Sequence, residues 1–284
     1  MLRCTTRITG LLTGVLFFAS CTESAGPASE RQRPDGPAFS FRVNGITLNK
    51  FIDSYGQSGT VDGRPVLIKG FNPISPDTGD AVIATFAWIG PSDLIDSVVD
   101  VMTTSPYTHI SGNPYTLVKK DSAGGVTVAT YVATGIRNFP SGQPDPVVYA
   151  VGAWLKQSVS TGGVRLTSWS GVEDVFAQAL GSGAGAPRSA TGTGTTPVVA
   201  SAGPIAVNPG GLVYGISIAI PPVGVDFDPA YTRIGVASGG NPPIKDDALY
   251  AVLSGGGTAN PNSTWFFDQV SGGGTWLATT LTLN

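Results

Sequence analysis

Histidine occurs once, at position 109, and cysteine twice, at positions 4 and 21, and this scarcity closes several chemistries at the outset. Any Ser-His-Asp or Cys-His arrangement has to pass through His109, and no Gly-x-Ser-x-Gly elbow accompanies it. His109 lies in the turn-rich stretch SPYTHISGNPY, where a solvated or hydrogen-bonding role is expected rather than that of a general base. Zinc would need carboxylates for nearly every ligand. Charge is thin too: charged residues make up 12% of the chain, about half the usual share. A formal net charge of −3 is far from the basic footprint that a phosphate backbone demands, so nucleic acid is not an expected partner. Apolar stripes of helical period over 12 or more residues are also missing.

What the chain does hold is glycine and proline, 39 and 22 of its 284 residues, spaced between short apolar stretches. From Phe39 onward these stretches carry strand period, which reads as an all-β fold. Strands are expected at Pro65 to Phe71, Ala81 to Ile89, Ser97 to Met102, Tyr115 to Lys119, Gly125 to Ala133 and Val147 to Leu155. Others are expected at Gly163 to Trp169, Leu212 to Ile220, Tyr231 to Ala237, Ala248 to Leu253 and Thr275 to Leu283. Asn44-Gly45, between FSFRV and ITLNKFI, reads as a hairpin turn, because a type I′ turn needs two residues tolerant of positive φ. In LVYGISIAI, Leu212, Tyr214, Ile216, Ile218 and Ile220 share one face and small residues the other, so the large face should be core. About a dozen strands fit one two-sheet antiparallel β-sandwich of jelly-roll type over residues 39–284. The Gly/Ser/Thr-rich tract 181–203 reads as a long surface loop with weak edge strands, with a linker between two small domains as the alternative. No repeat of fixed period is visible.

The first 20 residues read as an export signal. Arg3 and Arg7 precede an apolar run of 13 residues from Ile8 to Ser20, too short to span a bilayer but suited to the h-region of a signal. Removing those two arginines from the 16 Lys+Arg leaves 14 against 19 acidic residues, a net charge of −5. Cys21 stands directly after the run, in Phe18-Ala19-Ser20-Cys21, which resembles the lipobox of bacterial lipoproteins. Ala19 and Ser20 fit the small residues of that pattern; Phe18 stands where an aliphatic residue is usual. The resemblance implies a lipid on Cys21, and Thr22 in place of an Asp leans it toward the outer membrane. An ordinary secretory signal cut near the same place is the alternative. Residues 21–38, polar and rich in Pro, Gly and Ser, read as a flexible tether.

A second resemblance rests on Ser170-Gly171-Val172-Glu173-Asp174 and Gly211-Leu212-Val213, within a span from Ser97 to Ile220. It is similar to the β-sandwich modules of bacterial secreted and surface proteins, and implies fold and setting but no common activity. Candidate site residues follow from residue chemistry. Exposed aromatics can stack on sugar rings, and Trp169, on one strand face with Arg165 and Thr167, and Trp276, opposite Leu277, Leu281 and Leu283, read as outward, whereas Trp88 and Trp154 sit in apolar runs and read as core. Asp226 and Asp228 in VDFDPAY, Asp246-Asp247, and Asp93 with Asp96 are candidates for a structural calcium ion, which accepts loop oxygens without needing His or Cys. Glu173-Asp174 is the nearest approach to a glycosidase carboxylate pair, and reads first as a solvated turn. The expectation is a non-enzymatic cell-envelope lipoprotein whose β-sandwich binds a surface glycan or an envelope protein. A carbohydrate-binding module or carbohydrate-active enzyme, and a structural subunit of a surface assembly, are the alternatives.

Overall fold

A computed structural model describes residues 45–103, 108–109, 113–268 and 273–284. Cys4, Cys21, the tether and Asn44 of the Asn44-Gly45 turn lie outside the described residues, and so does the side chain of His109. The fold is all-β and antiparallel throughout, the sandwich class expected from the strand-period stretches. The first half contributes β1 (Thr47–Gly56), β2 (Gly59–Val61), β3 (Arg64–Gly70), β4 (Ala81–Ile89) and β5 (Ile95–Met102). It continues with β6 (Thr108–His109), β7 (Thr116–Ala123), β8 (Val126–Ala133), β9 (Tyr149–Leu155) and β10 (Gly162–Ser170). The second half holds β11 (Arg188–Gly194), β12 (Val198–Ser201), β13 (Ile205–Val207), β14 (Gly211–Ile220) and β15 (Gly224–Phe227). It ends with β16 (Thr232–Gly239), β17 (Ile244–Leu253), β18 (Gly257–Ala259), β19 (Asn262–Phe266) and β20 (Gly274–Leu283). One short helix, α1 (Phe176–Ala179), and a 3₁₀ turn (Gly183–Gly185) join the halves. The tract 181–203 therefore carries this turn and the strands β11 and β12.

The two halves repeat one topology. The first inner sheet runs β1-β10-β4-β8-β7 and the second β11-β20-β14-β17-β16; with β2 and β6 set aside and β12/β13 and β18/β19 each counted as one interrupted strand, each half has eight strands and both inner sheets read one-eight-three-six-five. The first outer sheet, β2-β3-β9-β5-β6, is matched by a sheet in two pieces, β12-β19-β15 and β13-β18. These pieces share one interrupted ladder, Val198 opposite Trp265 at one end and Val207 opposite Gly257 at the other. Even an irregularity recurs. The register of β7 slips between Leu117 and Lys119 opposite Tyr131 and Thr130, and that of β16 between Arg233 and Gly235 opposite Leu249 and Ala248. A bulge of this kind bends a strand and raises its twist, so both edge strands curl at the same place.

Alternation along the central strands assigns each face to a layer. In β4, Val82, Ala84, Phe86 and Trp88 pack with Leu67, Tyr149, Val151, Ala153 and Leu155 of the first outer sheet. The opposite face, Ala81, Ile83 and Ala87, joins Val126, Val128, Val132 and Trp169. That face meets Leu212, Tyr214, Ile216, Ile218, Leu277, Leu281 and Leu283 of the second inner sheet. The far face of β14 packs in turn on the second outer sheet, Val213 with Ile205, Val207 and Ala259, and Ala219 with Ala200, Trp265 and Phe267. Four layers result in place of the two sheets of one sandwich expected from the strand count, with the two inner sheets stacked face to face. Across this seam β1 lies against β16 and β7 against β11, and exchanging the halves turns one contact into the other. The seam has the logic of an isologous dimer interface inside one chain.

Close approach at the first inner sheet explains Gly163. A Cβ there would collide with the carbonyl oxygen of Ser54 and the backbone of Tyr55 in the neighbouring strand. Gly163→Ala is expected to destabilise the fold by about 1–3 kcal/mol, the range of overpacking, read as a lower denaturant midpoint. An unchanged midpoint would contradict this packing.

Candidate functional site

The most concentrated polar chemistry among the described residues lies in the seam. On β10, Val164 and Leu166 enter the first core, so Arg165 between them faces the second inner sheet. Its Nε and Nη2 donate to the two carboxylate oxygens of Asp246 on β17, at 2.8 and 2.7 Å, and both side chains are fully buried. Asp246 also accepts from the Tyr55 hydroxyl at 2.9 Å and from the Ala237 amide at 2.8 Å. These four bonds use about all the lone-pair sites of a carboxylate. Asp53 comes within 3.3 Å of Arg165 Nη1.

Electrostatics follow from this geometry. Burial works against the charge of Arg165, but the hydrogen bonds and charge of Asp246 outweigh it and the guanidinium pKa is raised. Burial, then the charge of Asp246, pushes the Tyr55 hydroxyl well above the ordinary phenol range, and burial does the same for Tyr214. Burial also raises the Asp53 carboxyl, with Arg165 opposing and Asp246 adding to the shift. The guanidinium therefore stays charged and the two phenols stay neutral.

Asp247, the next residue, points to the other side of the strand. It is fully buried between the second inner and outer sheets, where Arg233 of β16 donates Nε to Oδ1 at 2.7 Å and Nη2 to Oδ2 at 3.0 Å. The Arg233 guanidinium also reaches the Val225 carbonyl and lies 4.4 Å from the centre of the Phe227 ring. Asp246 thus ties β17 to the first inner sheet, while Asp247 holds Arg233 of the neighbouring strand β16, whose guanidinium reaches the outer layer at Val225. A third polar group lies in the first core: Tyr149 donates to Asp100 at 2.7 Å and its hydroxyl is 2.8 Å from that of Tyr115.

The residues singled out from sequence are dispersed. Trp169 does not face solvent: it is fully buried in the seam, its Nε1 donating to Thr167 Oγ1 at 2.8 Å and its ring edge-on to Tyr250 at 5.0 Å. The outward reading failed because Arg165 and Thr167, which made that face look solvated, themselves line the seam. Trp276 is half-buried, packs with Ala219, Phe267 and Val198, and lies over Gly192 of β11, where a Cβ would meet its ring at 2.6 Å. Trp88, Trp154 and Trp265 are buried. Asp226 is exposed on β15, while Asp228 accepts from the Ala230 amide at 2.9 Å and from Asn262 Nδ2 at 3.1 Å, capping the turn into β16. Asp93 pairs with Lys156, whose hydrogen bond lowers its carboxyl pKa, and Asp96 pairs with Arg64. The Glu173 amide donates to the Asn284 carbonyl, and the Asp174 carbonyl accepts from Thr134. Among the described residues no group of three or more His, Cys, Asp or Glu is placed to hold a metal ion. Sequence reasoning took Arg165 only as a sign of a wet face and missed Arg233; an arginine flanked by apolar strand residues, as in Val164-Arg165-Leu166, was the available signal. Comparison with protein-family models, with curated proteins and with solved structures finds no match to the chain.

Removing one member of a buried pair leaves an uncompensated charge, so Asp246→Ala is expected to cost about 3–5 kcal/mol, whereas Arg165→Met with Asp246→Leu should lie within a few kcal/mol of wild type. Urea melts of the three chains check this, and equal losses in both variants would contradict it. Asp53 supplies a pH dependence. Its raised pKa means the folded state keeps the proton longer, so its contribution is present below the ordinary carboxylate range and is lost as pH rises through the raised value. The stability of wild type relative to Asp53→Asn should fall between about pH 3 and pH 7, by no more than about 1 kcal/mol at this partly exposed site. A gap that widens in favour of wild type would reverse the sign.

Proposed function

We propose that this chain is a non-enzymatic, lipid-anchored protein of the bacterial cell envelope whose β-sandwich recognises another envelope component. Residues 1–20 serve as the export signal, Cys21 carries the lipid, and the polar stretch to residue 38 holds the folded part off the membrane surface. The outer membrane is the proposed location. The observation that carries this reading is the position of Cys21, directly after the 13-residue apolar run and two small residues, in a chain whose only other cysteine lies inside the signal. A packing argument supports the non-catalytic part. The buried Arg165–Asp246 pair is bound across the two inner sheets with the acceptor sites of Asp246 filled, and Arg233–Asp247 joins neighbouring strands of one sheet, so their chemistry is spent on holding the fold together.

Each half is proposed to be a jelly-roll-type module. Strands one, eight, three and six of the half lie side by side and face two, seven and four, which is an order a double Greek key produces. The fifth strand departs by joining the inner sheet beside the sixth. The glycan reading loses one of its two aromatic platforms with the burial of Trp169, and recognition of a protein component is preferred for that reason.

A Cys21→Ser variant of the full chain, expressed in a bacterial host with its signal intact, is expected to shift from the membrane fraction to the soluble fraction on ultracentrifugation. Retention in the membrane fraction at the wild-type level would overturn the anchor.

A further inference from the structure

A strand at the edge of a sheet offers a row of unpaired N–H and C=O groups, and proteins blunt such edges with charge, proline, bulges or brevity. Nearly every edge here is managed in one of these ways. β1 carries a register slip between Leu48 and Lys50, β7 a slip together with Lys119 and Lys120, and β16 a slip beside Arg233. β2, β13 and β18 are three residues long and β6 is two, while β12 and β15 are four residues long beside Pro197 and Pro221-Pro222. β11 is the exception. Its seven residues, RSATGTG, pair with β20 on one side without a slip from Arg188 opposite Thr280 to Gly194 opposite Gly274. From Ser189 onward the strand is uncharged and free of proline, and Thr191 and Thr193 are exposed.

We propose that β11 is a docking strand through which two copies of this chain join edge to edge, as an antiparallel pair that continues the second inner sheet from one copy into the other. The side chains of β11 suit a second copy of the same strand. Complete overlap of Arg188–Gly194 with its own copy places Thr191 on the two-fold axis, opposite Thr191 of the copy, and Ser189 opposite Thr193. Thr–Thr and Thr–Ser pairs are favourable cross-strand neighbours. On the other face Ala190 meets Gly192 and Arg188 meets Gly194, so no like charges oppose each other and the one large side chain of the strand faces a glycine. Asp121, the acidic group at this edge, already accepts from Ser189 at 2.9 Å. The two-fold keeps the inner and outer faces of the sheet aligned between copies, as a continuous sheet requires. This pairing goes beyond anchorage and does not depend on it, since it uses only the folded part.

The test uses the full chain carrying Cys4→Ser and Cys21→Ser, in non-ionic detergent, so that an introduced thiol is the only one and the lipid plays no part. Sedimentation of this chain should show a monomer–dimer equilibrium. Thr191→Lys, which sets two ammonium groups face to face at an exposed position, should raise the dimer dissociation constant about tenfold or more. Under mild oxidation Thr191→Cys should yield a disulfide-linked dimer. Thr193→Cys, which faces Ser189 of the copy rather than itself, should not, until Ser189→Cys is added. A chain that stays monomeric to about 100 μM, far above the micromolar range of specific association, would overturn the proposal. Equal cross-linking of the Thr191→Cys and Thr193→Cys chains would overturn the register and with it the pairing.

Discussion

The bidentate contact of Arg165 with Asp246 sets terms that the surrounding structure has to meet. Two opposite charges with no solvent exposure are tolerable only if geometry and further hydrogen bonds repay their desolvation. Here the repayment comes from both halves of the chain. Arg165 and Tyr55 belong to the first inner sheet, and Asp246 and the Ala237 amide to the second. Neither half can satisfy the pair alone. The apolar residues stacked around it, Ile83 and Trp169 from one sheet and Ile216 and Leu281 from the other, supply the driving force, because a buried aliphatic side chain is worth about 1.5–3 kcal/mol. The ion pair supplies what burial cannot, a single relative placement of two sheets that would otherwise slide.

Stacking two sandwiches through their inner sheets also accounts for the composition. In an isolated sandwich each sheet has a wet face; here both inner sheets are covered twice. All but the last residue of β4, β10 and β14 are buried, whatever their alternation. Such strands have little room for Lys or Glu, and a chain with only 12% charged residues follows. Polar residues that do occur in them are matched within the layers: Thr85 with Thr130, Trp169 with Thr167, Trp265 with Ser217.

Much of this was legible beforehand, and the failures have physical reasons. The ends of β4, β8, β14 and β20 fall within one residue of the positions read from hydrophobic alternation, because long strands bounded by turn residues leave a strong signal. Short strands between polar turns, such as β12, β13, β15 and β18, left none. Alternation correctly assigned Leu212, Tyr214, Ile216 and Ile218 to a core, but gave no hint that Val213, Ser217 and Ala219 on the opposite face are buried too. The same assumption of one wet face put Trp169 outside and placed Asp246-Asp247 among candidate cation ligands, although both aspartates sit in mid-strand against arginines. The repeat escaped notice because sheets need only pattern to be preserved. Its remaining trace is Tyr115-Thr116-x-Val118 followed by Ser122 and Gly124, against Tyr231-Thr232-x-Ile234 followed by Ser238 and Gly240. Gly124 and Gly240 both take positive φ, 57° and 90°, in the turns that follow β7 and β16.

Function was the least legible layer, since recognition surfaces follow no periodicity and the described side chains with the most concentrated chemistry turn out to hold layers together. The account depends on the halves behaving as one body, and differential scanning calorimetry of the full chain tests that most directly. A single transition with equal calorimetric and van't Hoff enthalpies is predicted, because unfolding either half would strand a buried charge and bare an apolar sheet. Two resolved transitions, one for each half, would contradict the claim that the seam makes them a single cooperative unit.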